Sequence, residues 1–157
     1  MVHKIKILNL IKKIKYLILI SNIFFFTNFV KAETDLPLQK YLDKNDIENG
    51  ETQIYLLNRC SAVYAYASGI ILKTDAVSSK KFIEISNNLL FKSVELMVIE
   101  KEQKLEDAQK KAEEIRENLF NNYTTDGKKN WRENKSYFKG SYIASDMTIC
   151  SKLTKEK

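Results

Sequence analysis

The sequence predicts an all-α fold, a compact antiparallel bundle of four to five helices tied by one disulfide. Three observations predict it. Apolar residues recur at three-then-four spacing in most of the chain beyond residue 54. Strand-like alternation of any length is missing, and so is a hairpin signal. Cys60 and Cys150 both fall on the inward side of a predicted helix.

Of the 157 residues, the first fifteen hold five lysines and no acid. An almost unbroken apolar run follows over 16–30, and Val30-Lys31-Ala32 closes it on a small residue. A positive end, an apolar middle and a small-residue cleavage site make a secretory signal peptide. Residues 1–32 are therefore expected to be a leader cleaved after Ala32, and the product is expected in the periplasm or outside the cell. A retained membrane anchor and a buried first helix are the other readings. The run is shorter than the roughly 20 apolar residues that a spanning helix needs.

Removal of this leader changes the electrostatics. The formal charge of +6 resides in residues 1–32, which hold six lysines and no acid. The 125 residues that remain balance 20 basic against 20 acidic side chains. No nucleic-acid partner is expected, and membrane contact is expected only through an uncleaved leader. The single histidine, His3, leaves with the leader.

After the cleavage site, residues 33–50 read as an N-terminal arm with one or two helical turns behind Pro37, which suits the start of a helix. The domain proper is expected over 51–157. Asn49 is a candidate cap for the next helix, which runs to about Lys73. Leu57, Cys60, Tyr64, Ala67 and Ile71 share one face of it, and Leu56, Val63 and Ile70 add a second apolar row. Asn58, Arg59, Ser61 and Ser68 form the narrow polar strip that is left. A helix apolar over most of its circumference is surrounded by others.

A polar turn over 74–79 follows, with Ser78 or Ser79 as the cap. Phe82, Ile85, Leu89, Leu96 and Ile99 form the next stripe, widened by Leu90 and Met97. Leu105, Ala108, Ala112, Ile115 and Leu119 then hold a heptad. Glu100–Lys104, Glu106–Lys110 and Asp107–Lys111 are spaced as favourable pairs on a solvated helix face. No breaker separates Ser79 from Asn121, yet one helix of that length would span about 60 Å. A joint is therefore expected near 100–104. The helix beyond it continues past Gly127 towards Trp131, and 134–140 reads as a connection carrying Tyr137 and Phe138. A final helix over 141–153 places Ile143, Met147, Cys150 and Leu153 on one side.

An even cysteine pair in an exported protein closes as a disulfide. With 90 residues between them, Cys60 and Cys150 would restrict the unfolded chain by about 4–5 kcal/mol in the loop-entropy model. Arg59-Cys60-Ser61-Ala62-Val63-Tyr64 and Asp146-Met147-Thr148-Ile149-Cys150 resemble stretches of a set of small exported helical proteins of AT-rich marine bacteria, two cysteines each. The likeness covers most of the chain after the leader. It implies the same fold and the same bridge, and it implies no activity.

Without a histidine after the leader, and with both cysteines bonded, the familiar nucleophile–base pairs cannot be assembled. Cys/His metal sites are excluded on the same reading, and a calcium loop of the D-x-[DN]-x-[DN]-G kind is absent, so neither catalytic residue nor cofactor nor metal is assigned. Asp146 lies one helical turn before Cys150 and is expected to pair with Arg59, beside the other cysteine. Tyr64, Trp131, Tyr137 and Tyr142 are the candidate lining of an inter-helix pocket, although aromatics of this kind also serve as core filler. The expected function is that of a non-enzymatic exported bundle that binds another protein or serves as an envelope or stress-related factor. The alternative is a small-ligand carrier with an aromatic-lined pocket.

Overall fold

The computed structural model describes residues 37–155. The expected leader, its cleavage site after Ala32 and residues 33–36 of the arm lie outside that range. Among the described residues there are five helices and no strand: α1 (Leu38–Leu42), α2 (Gly50–Ile71), α3 (Ala76–Lys101), α4 (Leu105–Asn134) and α5 (Tyr142–Lys155). The all-α bundle and its Cys60–Cys150 disulfide are both present.

Local chemistry sets each boundary. The Asn49 side chain accepts hydrogen bonds from the Glu51 and Thr52 amides and so starts α2 as expected. For α3 the cap is Asp75, which accepts from the Ser78 amide, and not Ser78 or Ser79. Ser79 is buried against α2, so its hydroxyl is committed elsewhere. The joint between α3 and α4 falls at 102–104. Glu102 turns left-handed there (φ 51°) and donates its amide to the Met97 carbonyl, which ends α3. Lys135 closes α4 in the same way with φ 55°.

Successive long helices run antiparallel. Ser61 meets Ser86 and Ser68 meets Ser79 between α2 and α3. Arg116 meets Asn87 between α3 and α4, and Tyr142 meets Asp126 where α5 returns along α4. The core gathers around α2, where Leu56, Cys60, Val63 and Tyr66 pack with Leu89, Leu119, Tyr123 and Ile143. A second cluster joins Ile54 to Val94, Met97, Ala108 and Ala112.

The polar strip of α2 is enclosed, for Asn58, Arg59, Ser61 and Ser68 are all buried. Ser61 and Ser86 donate to each other's carbonyl oxygens at 2.8 Å. Ser68 and Ser79 do the same at 2.9 and 3.0 Å, and the Asn58 amide donates to the Ser93 hydroxyl. Small hydroxylated side chains that satisfy one another allow two backbones to approach closely, and this makes a polar seam admissible in a core. On α3, Leu89 and Met97 enter the core and Phe82, Ile85, Leu90 and Leu96 pack against it as expected, Val94 joins them, and Ile99 at the end of the stripe faces solvent. On α4, Leu105 is exposed and the heptad packs from Ala108 onward.

The arm contributes to the core. Leu38 is fully buried and Tyr41 nearly so, with the Tyr41 ring 4.0 Å from that of Tyr55. The described part of the arm, 37–50, thus packs into the same core as the helices after it, through Leu38 and Leu42. Among the described residues the ion pairs join Lys101 to Glu51 and Arg59 to Asp146. The three i,i+4 pairs expected on the charged helix face are not closed.

Candidate functional site

The densest polar cluster is built on α2, one residue before the bridge. Arg59 sends Nη2 to Asp146 Oδ2 at 2.8 Å and Nε to the same oxygen at 3.0 Å. Tyr123 donates its hydroxyl to Asp146 Oδ2 at 2.7 Å and accepts from Arg59 Nε at 3.0 Å. Arg59 Nη1 donates to the Tyr55 hydroxyl at 2.7 Å, and Asp146 Oδ1 accepts the backbone amide of Leu38 at 2.8 Å. One carboxylate thus gathers α1, α2, α4 and α5. The guanidinium also lies 5.7 to 5.9 Å from the ring centroids of Tyr55, Tyr123 and Tyr142, within cation–π range.

The pair expected from the sequence is therefore in place, together with partners that the sequence did not name. Tyr55 lies four residues before Arg59 on the same helix face, a spacing that offers a signal. Tyr123 and the Leu38 amide are brought in only by the tertiary fold. Burial alone would lower the Arg59 pKa, but Tyr123, Asp146 and Tyr55 together outweigh it and hold the guanidinium charged. The Tyr123 hydroxyl is pushed well above its ordinary range, first by burial and then by Asp146. Arg59, Tyr123 and Asp146 are each at most 1% exposed. A cluster sealed to that degree orients helices, and its geometry offers no approach to a substrate.

The four aromatics proposed to line a pocket are dispersed and packed. Tyr64 is buried edge-on to Phe82 at 5.5 Å, and its hydroxyl lies 3.1 Å from that of Thr154. Trp131 stacks on Tyr137 at 4.7 Å and stays partly exposed. Tyr142 packs against Tyr123 at 6.0 Å and donates to Asp126 at 2.6 Å; burial and that carboxylate raise its pKa. The space between α2 and the 131–142 region is filled by Tyr66, whose ring neighbours Phe120, Tyr123 and Phe138. The Tyr66 hydroxyl presses on Gly127, where a Cβ would overlap it, and burial pushes its pKa up to about 12.

Open space lies on the other side of the bundle. A groove of about 520 Å³ runs between α2, α3 and α5. Leu57, Ile85 and Leu89 form its apolar part, Phe91 and Leu153 stand beside them, and Asn88, Lys92, Glu95 and Thr154 supply the polar rim. Phe91 is 62% and Leu153 39% exposed. Among the described residues no group of three or more His, Cys, Asp or Glu is placed to hold a metal ion, and no helix is long and apolar enough to cross a membrane.

Fold and geometry define the class: a disulfide-tied helical bundle with a sealed ionic hub and an open groove of mixed polarity. No protein-family model matches the sequence, and comparison with curated proteins and with solved structures found no match.

Proposed function

We propose that this protein is an exported, non-enzymatic helical bundle that works by binding another protein through the outer face of α3 and the adjoining groove. The observation that carries this reading is Phe91, a large apolar side chain left uncovered on a helix whose inner face is fully engaged. Exposed aromatics beside an apolar groove are the usual anchors of protein interfaces. The sealed state of the Arg59–Asp146–Tyr123 cluster supports a scaffolding role for the most chemically endowed residues. Export is supported by the charged-then-apolar segment 1–32 and by the bridge, since such bonds persist in oxidising compartments. The carrier reading has less support, because the aromatics that would line its pocket fill one another's space.

Affinity capture from the exported fraction tests the proposal, with wild type beside Phe91→Ser. A partner retained by the wild type and lost by the variant is the expected result. Retention of the same proteins by both, or of none by either, would overturn it.

A further inference from the structure

The outer face of α3 has an internal symmetry that its packing does not require. Val77, Lys81, Glu84, Asn88, Lys92, Glu95 and Ile99 follow one another at three- and four-residue steps, so they form a single stripe along the helix. All seven are exposed, Val77 and Ile99 each to 70%. The stripe faces away from the seam formed by Ser79, Ser86 and Ser93.

Asn88 is its centre. Four positions to either side stand Glu84 and Lys92, seven to either side Lys81 and Glu95, and eleven to either side Val77 and Ile99. Each charged pair is of opposite sign, and the outermost pair is apolar at both ends. Ile85 and Phe91, three positions from the centre, are apolar as well.

We propose that this stripe is a self-complementary dimer surface and that its occupant is α3 of a second copy of the chain. The proposal rests on the reading that the outer face of α3 binds protein, and it names that protein. A two-fold axis through Asn88 sets two such helices antiparallel. Lys81 then faces Glu95 of the second copy, Glu84 faces its Lys92, and Val77 faces its Ile99. Every layer off the axis is matched twice, as an isologous interface demands, and Asn88 meets its own copy on the axis. The stripe runs about 33 Å at 1.5 Å per residue, long enough for the side chains of two helices to interdigitate at a shallow crossing angle. A heterologous partner would have no reason to meet charges inverted about a central residue. A second copy meets them by symmetry alone.

Sedimentation velocity over a concentration series, on protein purified with its bridge intact, tests this. Wild type should pass from monomer to dimer. Lys81→Glu with Lys92→Glu makes the face wholly acidic, and Glu84→Lys with Glu95→Lys makes it wholly basic. Each double variant should sediment as a monomer, and a one-to-one mixture should recover the dimer. All four sites are exposed, and unchanged circular dichroism would show that folding is intact. Dimerisation of both variants as strongly as wild type would overturn the proposal. A monomeric wild type that still captures a partner lost in Phe91→Ser would overturn the second copy and leave the protein-binding reading standing. A monomer that captures nothing would overturn both.

Discussion

Arg59 meets Asp146 one residue before Cys60 and four residues before Cys150, so an ion pair and a covalent bond tie the same two helices side by side. The two ties differ in kind. The bridge acts mainly by restricting the unfolded chain, whereas the ion pair acts in the folded state and recruits Tyr123 and the Leu38 amide to the same carboxylate.

Removal of one member of the pair should therefore be costly. Asp146→Asn leaves Arg59 buried without its counter-charge, and a loss of about 3–5 kcal/mol is expected from urea denaturation. Arg59→Met combined with Asp146→Leu should cost less than the sum of the single changes, because no charge then remains unpaired in the core.

Loss of the bridge through Cys60→Ala with Cys150→Ala should lower stability by up to about 4–5 kcal/mol, the loop-entropy value for a 90-residue separation. The measurement is the denaturation midpoint with and without reductant. Reductant should lower the midpoint of wild type and leave that of the double variant unmoved.

Two glycines of the long helices should respond in opposite directions. Gly69 has open space where a Cβ would stand, so Gly69→Ala should stabilise by about 1 kcal/mol through helix propensity. Gly127→Ala gains the same propensity but drives a methyl group into the Tyr66 ring. Overpacking of about 1–3 kcal/mol should make it net destabilising. Tyr66→Phe should be neutral or stabilising, since the buried hydroxyl has no hydrogen-bond partner. Thermal melts of the three variants decide the matter.

Alkali should unfold the protein cooperatively. Tyr66, Tyr123 and Tyr142 all titrate higher in the folded state than the ordinary tyrosine value near 10, chiefly through burial. The unfolded chain therefore gives up these protons first. Stability from this source is complete below about pH 10 and declines as the pH rises towards 12 and beyond. Tyrosinate absorbance and helical circular dichroism should change together in that range. Tyrosinate absorbance that reaches its full amplitude before the helix signal falls would contradict the assignment.

The left-handed cap of α4 offers a simpler gain. Lys135 holds φ 55°, a conformation that costs a non-glycine residue about 1 kcal/mol. Lys135→Gly should raise the melting temperature by a few degrees for a domain of this size.

Much of the bundle was legible because capping preference, helix periodicity and helix length are signals read along the chain itself. The α2 cap at Asn49 follows from the first, the long run of α4 past Gly127 from the second and the joint at 102–104 from the third. The Arg59–Asp146 pair was legible because both residues neighbour a cysteine. The serine seam was not. Serine on a helix ordinarily faces water, and only its partner on the facing helix makes burial tolerable. The same applies to Gly127, whose role depends on a ring that begins 61 residues earlier at Tyr66. The pocket expectation counted aromatics without their neighbours, and a stacked pair such as Trp131 and Tyr137 encloses nothing.

The Ser61–Ser86 and Ser68–Ser79 contacts recur every seven residues, and Ser93 continues the spacing on α3. A slide of α3 by one heptad would again set serine against serine, Ser61 with Ser93 and Ser68 with Ser86. Hydroxyl matching is thus degenerate with respect to translation. Alignment of the hairpin comes instead from contacts that do not repeat, the Asn58 amide on Ser93 and the Tyr64 ring on Phe82, together with the short link, 72–75. Extra residues inserted there would remove only one of the pins that keep this ratchet locked.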